Sequence, residues 1–231
     1  MAEAGALERN TVMAHRPTPT LSALTIAATP AAWERAGLEV EDDRCRLGTV
    51  PVTLAGAGAG RGIVGWSITG LDAPLPRGLP AAGPAPAPRP AGAGPTHPNG
   101  AAGIDHMVAV THEFDATLET LQRAGLDLRR VREADDPPHL RRQAFFRLGG
   151  PILEVVEPRG RPDRPPPGAL LWGLALVVGD LDHAASVMGA ALGDPRDAVQ
   201  PGRRIATVRK EAGLGLPVAL ITPRLAAPPT G

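Results

Sequence analysis

Tyrosine is absent from this chain and cysteine occurs once, at Cys45. A lone thiol excludes internal disulfides and thiolate-built metal clusters. Three Phe and three Trp are the whole aromatic complement, too few for the stacking platforms that hold single-stranded nucleic acid. Neither sign of charge dominates: 24 basic residues stand against 24 acidic ones, so no net field draws in a nucleic-acid backbone or an anionic membrane. Lysine is nearly missing, with Lys210 the only one. With the heavy use of Ala, Gly and Pro, this reflects a GC-rich coding sequence rather than a function. No apolar run reaches the length of a bilayer, and the opening MAEAGALERN lacks the basic-then-apolar pattern of a signal peptide. A cytoplasmic location is the default expectation. No HExxH, Walker loop or serine elbow occurs.

What the 231-residue chain does contain is a repeat. Gly103 to Pro158 carries GIDHMVAV, RRQAFFRLGG and PILEVVEP; Leu170 to Pro223 carries LLWGLALVV, RRIATVRK and LPVALITP. Aligning Phe114-Asp115 with Leu181-Asp182 puts His106 on Gly173. Aligning Glu157-Pro158 with Thr222-Pro223 puts Glu154 on Ala219. Each copy has a leading strand, then apolar residues at helical spacing (Phe114, Leu118, Leu121; Leu181, Ala185, Met188), then strands. Each copy therefore predicts βαβββ, with the strand near Arg196–Val199 the least distinct. One such unit cannot close a core. Two side by side predict an α+β fold, a curved, cup-like mixed sheet with helices outside.

Residues 21–72 share RAGL (Arg35–Leu38, as Arg123–Leu126) and RLG (Arg46–Gly48, as Arg147–Gly149) with the second copy. The stretch between those motifs is less than half as long in the first unit as in the second, which predicts a truncated module short of about a hairpin. Around these units, 1–20 and 224–231 are expected as tails and the Ala/Pro/Gly-rich 73–101 as an extended linker. Met13 is an alternative start that leaves the folded part untouched.

IDHMVAV with its His, and ILEVVEP with its Glu, give the pair of units a resemblance to the vicinal oxygen chelate superfamily: glyoxalases, bleomycin-resistance proteins and ring-cleaving dioxygenases. The resemblance implies a cup in which first-strand and last-strand residues hold one divalent metal that chelates adjacent substrate oxygens. It makes His106 and Glu154 the metal ligands, and Glu154 the catalytic residue. The third unit offers Gly173 and Ala219 at those places, and the first offers Leu24 and Thr53. Two ligands stand where a closed protein site takes three or four.

Strand alternation puts His106 with Val108 and Val110, and Glu154 with Ile152 and Val156. Inside one cup the carboxylate and imidazole share a metal, pair with each other, or leave the Glu to an Arg, because a bare buried carboxylate is too costly. Gln143, whose counterpart is Ile205, is a candidate to bind substrate or supply a third metal oxygen. Arg141-Arg142 and Arg147 recur as Arg203-Arg204 and Arg209, which favours bracing of the fold. The alternative is that one of them binds an anionic substrate group. GRGIVG fits G-x-G-x-x-G, but a strand-like WSITGL follows instead of a phosphate-binding helix; a hairpin turn and no nucleotide cofactor are expected. His112, His139 and His183 read as surface residues, His97 lies by an Asn-Gly turn, and Cys45 reads as buried filler. Two functions compete: a small-molecule binder with an apolar cup, or a metal-dependent lyase, isomerase or dioxygenase acting on vicinal oxygens. The expected partner is a small molecule, with no nucleic acid and no membrane. A homodimer is compatible, with 21–72 docking on a partner or a second chain.

Overall fold

In the computed structural model, which describes residues 18–80, 83, 97–133, 139–160 and 162–224, three stretches of chain follow one path. The first is β1 (Thr20–Ile26), α1 (Pro30–Arg35), β2 (Val40–Glu41), β3 (Arg44–Leu47) and β4 (Val50–Leu54), trailed by β5 (Ile63–Thr69). The second is β6 (Ala101–Thr111), α2 (Phe114–Arg123), β7 (Leu128–Glu133), β8 (Leu140–Arg147) and β9 (Ile152–Pro158). The third is β10 (Ala169–Val178), α3 (Leu181–Met188), β11 (Arg196–Asp197), β12 (Arg204–Thr207) and β13 (Val218–Ile221). Most of the expected tails (1–17 and 225–231) and the linker residues 81–82 and 84–96 lie outside the described residues.

In every unit the helix crossover returns the last strand parallel to the first, so the order reads first, last, third, second. Antiparallel pairing of β6 with β10 joins the second and third units into one eight-stranded mixed sheet. β5 pairs antiparallel with β1, the place that β10 takes beside β6, and completes a five-stranded sheet. Helices pack on the outside. Strands β3 and β5 lie against β6 and β10, and a single apolar cluster runs through all three units. Trp33 of α1 is fully buried there, and its indole N–H donates to the Leu214 carbonyl at 3.3 Å.

The shared RAGL motif is a helix stop. Gly37 and Gly125 have φ of 75° and 91°, a region open to glycine at little cost. In each copy the following Leu N–H reaches back to a carbonyl of the last helical turns, Leu38 to Trp33 and Leu126 to Leu121. These are Schellman closures with their apolar contact, since both leucines are buried.

Several local expectations change. The first unit keeps all its strands; only their length is lost, because β2 and β3 turn at Asp42-Asp43, with Asp42 at φ 57°, after a very short pairing. The GRGIVG segment is not a hairpin, since β4 and β5 lie on opposite sides of β1 and the chain crosses between them. Leu24 is not the counterpart of His106: it is buried opposite Val52, as Met107 is opposite Leu153. Ala23 takes that place instead, and Thr53 keeps the place of Glu154. The described ends of the 73–101 stretch are built into the fold. Leu79 is buried, the Trp66 indole donates to Pro80, and His97 bridges the Glu39 amide and the Arg46 carbonyl. Among the described residues no helix is long and apolar enough to cross a membrane.

Candidate functional site

Alternation sorts β6 into a buried row (Met107, Ala109, Thr111) and a half-buried row (His106, Val108, Val110). β9 does the same with Leu153 and Val155 against Glu154. The second rows face a cavity of about 460 Å³ on the concave side of the eight-stranded sheet. Its wall is apolar, with Val108, Val110, Val156, Trp172, Leu174 and Ile205 among its members. His106, Gln143 and Glu154 line it together, although they come from three different strands, the first, third and last of the second unit.

These three belong to one polar row. His106 Nε2 lies 3.6 Å from Glu154 Oε2. Gln143 Nε2 donates to Glu154 Oε1 at 2.5 Å, and Arg132 Nε donates to Gln143 Oε1 at 2.6 Å. At the other end His106 Nδ1 bonds Asp105 at 2.7 Å, and Asp105 takes a 2.6 Å bond from Arg203 Nη2. Burial opposes the charge on Asp105, but the bonds and charges of His106 and Arg203 outweigh it and hold the carboxyl at about 2. An ionised Asp105 can only accept. It therefore keeps the proton of a neutral His106 on Nδ1 and turns the Nε2 lone pair toward the cup. Burial pushes the Glu154 carboxyl up, against the lowering influence of His106, Arg132 and Gln143.

Asp105 and Trp172 are not marked by strand alternation, for one reason. Register shifts leave Asp105 as an extra residue between Ile104 and His106, and Trp172 as an extra residue between Leu171 and Gly173. These are β-bulges, which re-aim side chains. The alignment that puts His106 on Gly173 also puts Asp105 on Trp172, so the duplication repeated the bulge, and that coincidence was the available signal. Arg132 gave none, lying in an arginine-rich strand with no alternation.

A divalent metal would find two ligating groups together in the cup, His106 and Glu154, with His139 apart at the rim, and one Glu154 oxygen is taken by Gln143. Gln143 keeps its oxygen turned away from the cup, because the Arg132 guanidinium can only donate to that oxygen, and its amide nitrogen donates to Glu154. The third unit is closed to a replacement at the His106-equivalent position: a Cβ on Gly173 would lie 2.7 Å from the Pro217 carbonyl oxygen. Among the described residues no three His, Cys, Asp or Glu side chains converge on one point. The residues present do not fit a protein-held metal, which takes three or four donors.

One recurring pair of arginines braces the fold in parallel ways. Arg142 pairs with Asp115 at the start of α2 and Arg204 with Asp182 at the start of α3. Arg142 also bonds Glu157 and lies over the Phe114 ring. His139 lines the cup rim, His183 is exposed, and buried Cys45 has its thiol pushed up to about 12 by burial, which leaves it inert.

No protein-family model matches the chain, and no curated protein does. Among solved structures it is similar to methylmalonyl-CoA epimerase from Mycobacterium tuberculosis, at 20% identity over 55% of this chain and 91% of that one, TM-score 0.45. A methylmalonyl-CoA epimerase variant from Streptomyces coelicolor in complex with 2-nitronate-propionyl-CoA is similar at 22% identity over 53% and 97%, TM-score 0.43. A hypothetical protein from Bacillus halodurans is similar at 15% identity over 54% and 96%, TM-score 0.44. Such likenesses transfer no activity. The fold rests on the strand order above: paired βαβββ units joined in one mixed sheet with helices outside.

Proposed function

We propose that the cup binds a small molecule with an apolar body, and that Glu154 and His106 exchange a proton with it without a resident metal. One observation carries this: a half-buried carboxylate and an imidazole, 3.6 Å apart, on the floor of a mostly apolar cavity of about 460 Å³. With Nδ1 committed to Asp105, Glu154 and His106 Nε2 face each other as two acceptors competing for one proton. Either can take a proton from a carbon acid held against them and return it. The apolar wall excludes water, which raises the basicity of the carboxylate. A perturbed carboxyl in a cleft is a recurrent mark of such sites. Lyase or dioxygenase chemistry through a protein-held metal receives no support from the donor set.

Trp172, half exposed in the cup wall, is the natural reporter. Titration with 2-octanone, a neutral apolar ketone, should quench its fluorescence equally with and without chelator. Binding that vanishes on chelation and returns with zinc or nickel contradicts the proposal.

A further inference from the structure

A second cavity, of about 570 Å³, lies on the same concave face and is lined by six arginines: Arg129, Arg130, Arg132, Arg147, Arg203 and Arg224. Phe145 and Ile152 form its apolar part. Only Arg129 and Arg203 are matched by carboxylates among the described residues, Asp127 at 2.9 Å and Asp105 at 2.6 Å. Arg132 spends its bond on the neutral Gln143 oxygen, and Arg130, Arg147 and Arg224 have no ion pair among the described residues. Four guanidinium groups thus face one hollow without a carboxylate from the described residues, in a chain whose formal net charge is zero. Like charges gathered this way repel, and the arrangement gains from an anion with several oxygens, which guanidinium forks bind in pairs.

The groove and the cup are neighbours on the sheet. Along β9 Ile152 belongs to the groove and Glu154 to the cup; along β8 Phe145 belongs to the groove and Gln143 to the cup. Two groove arginines enter the polar row directly, Arg132 through Gln143 and Arg203 through Asp105. We infer that the groove binds a phosphate-class polyanionic group of the molecule whose apolar part enters the cup, so that Glu154 and His106 lie at the junction of the two parts. The anion half stands on the arginines alone; its link to the cup rests on the function proposed above. A nucleic acid is the poorer occupant, because the site is a compact hollow with one aromatic ring rather than a stripe with several.

The experiment compares inorganic pyrophosphate, n-octanol and n-octyl phosphate by titration calorimetry at low and high salt. The proteins are the full chain and the double variant Arg130→Gln/Arg147→Gln; both positions are exposed, and equal melting temperatures check the fold. The expected result is pyrophosphate binding that weakens at least tenfold in the variant and with salt. Octyl phosphate should bind at least tenfold more tightly than octanol to the full chain, with the margin collapsing in the variant. Absence of pyrophosphate binding, or equal affinity for octyl phosphate and octanol, overturns the inference. Tighter binding of a single-stranded oligonucleotide than of octyl phosphate also overturns it. Pyrophosphate binding without octanol binding would uphold the groove and sink the cup reading instead.

Discussion

Glu154 and Asp105, two carboxyls of one polar row, respond to pH in opposite senses. Glu154 titrates higher in the folded protein than in the unfolded chain, so folding opposes its ionisation. The cost is absent where both states are protonated, below the unfolded value of about 4. It grows with pH and is complete above the folded value. Glu154→Gln should therefore raise the melting temperature by a few degrees at pH 7 and change it little at pH 3, as calorimetric scans across pH would record. Asp105, held at about 2, works the other way: its contribution of about 2 kcal/mol is present above the unfolded value of about 4 and is lost as pH falls to about 2. Asp105→Ala strands the guanidinium of Arg203, whose side chain is 2% exposed, and should cost about 3–5 kcal/mol in urea unfolding.

Among the helices and strands, duplication makes matched tests possible. Arg204–Asp182 is a mostly exposed pair, and Arg204→Ala should cost under about 1 kcal/mol. Arg142 makes the equivalent bond to α2 but also holds the buried Glu157 and covers the Phe114 ring at 4.4 Å. Its loss should cost about 2–3 kcal/mol by the same measurement. The helices, their RAGL stops and the alternating strands were legible in the sequence because each follows from a local period or a backbone demand. Alternation likewise gave the rows of His106 and Glu154, but that both rows face one cup, together with Gln143, follows only from the assembled sheet. The bulges at Asp105 and Trp172 were not, because alternation carries no mark of an extra residue in one strand of a pair. The very short β2 that pairs with β3 was hidden too, since a shortened stretch between RAGL and RLG reads equally as a lost strand or as a shortened one.

In the molecule as a whole, the first unit packs on the paired units and leaves their concave face open. One core joins them, so fluorescence and circular dichroism should report coincident unfolding. Trp33→Ala, which removes the indole bonded to Leu214 in the third unit, should cost about 3–5 kcal/mol. The arginine groove could not be read from the sequence: a neutral total charge conceals six arginines that only the sheet brings together. The function proposed for the cup turns on Glu154 moving a proton without a metal. Deuterium uptake by 2-octanone in D2O, followed by NMR in the presence of chelator, puts that to the test. Exchange should run at least tenfold faster with the full chain than with Glu154→Gln; equal rates for the two proteins, or exchange that stops on chelation, would contradict it.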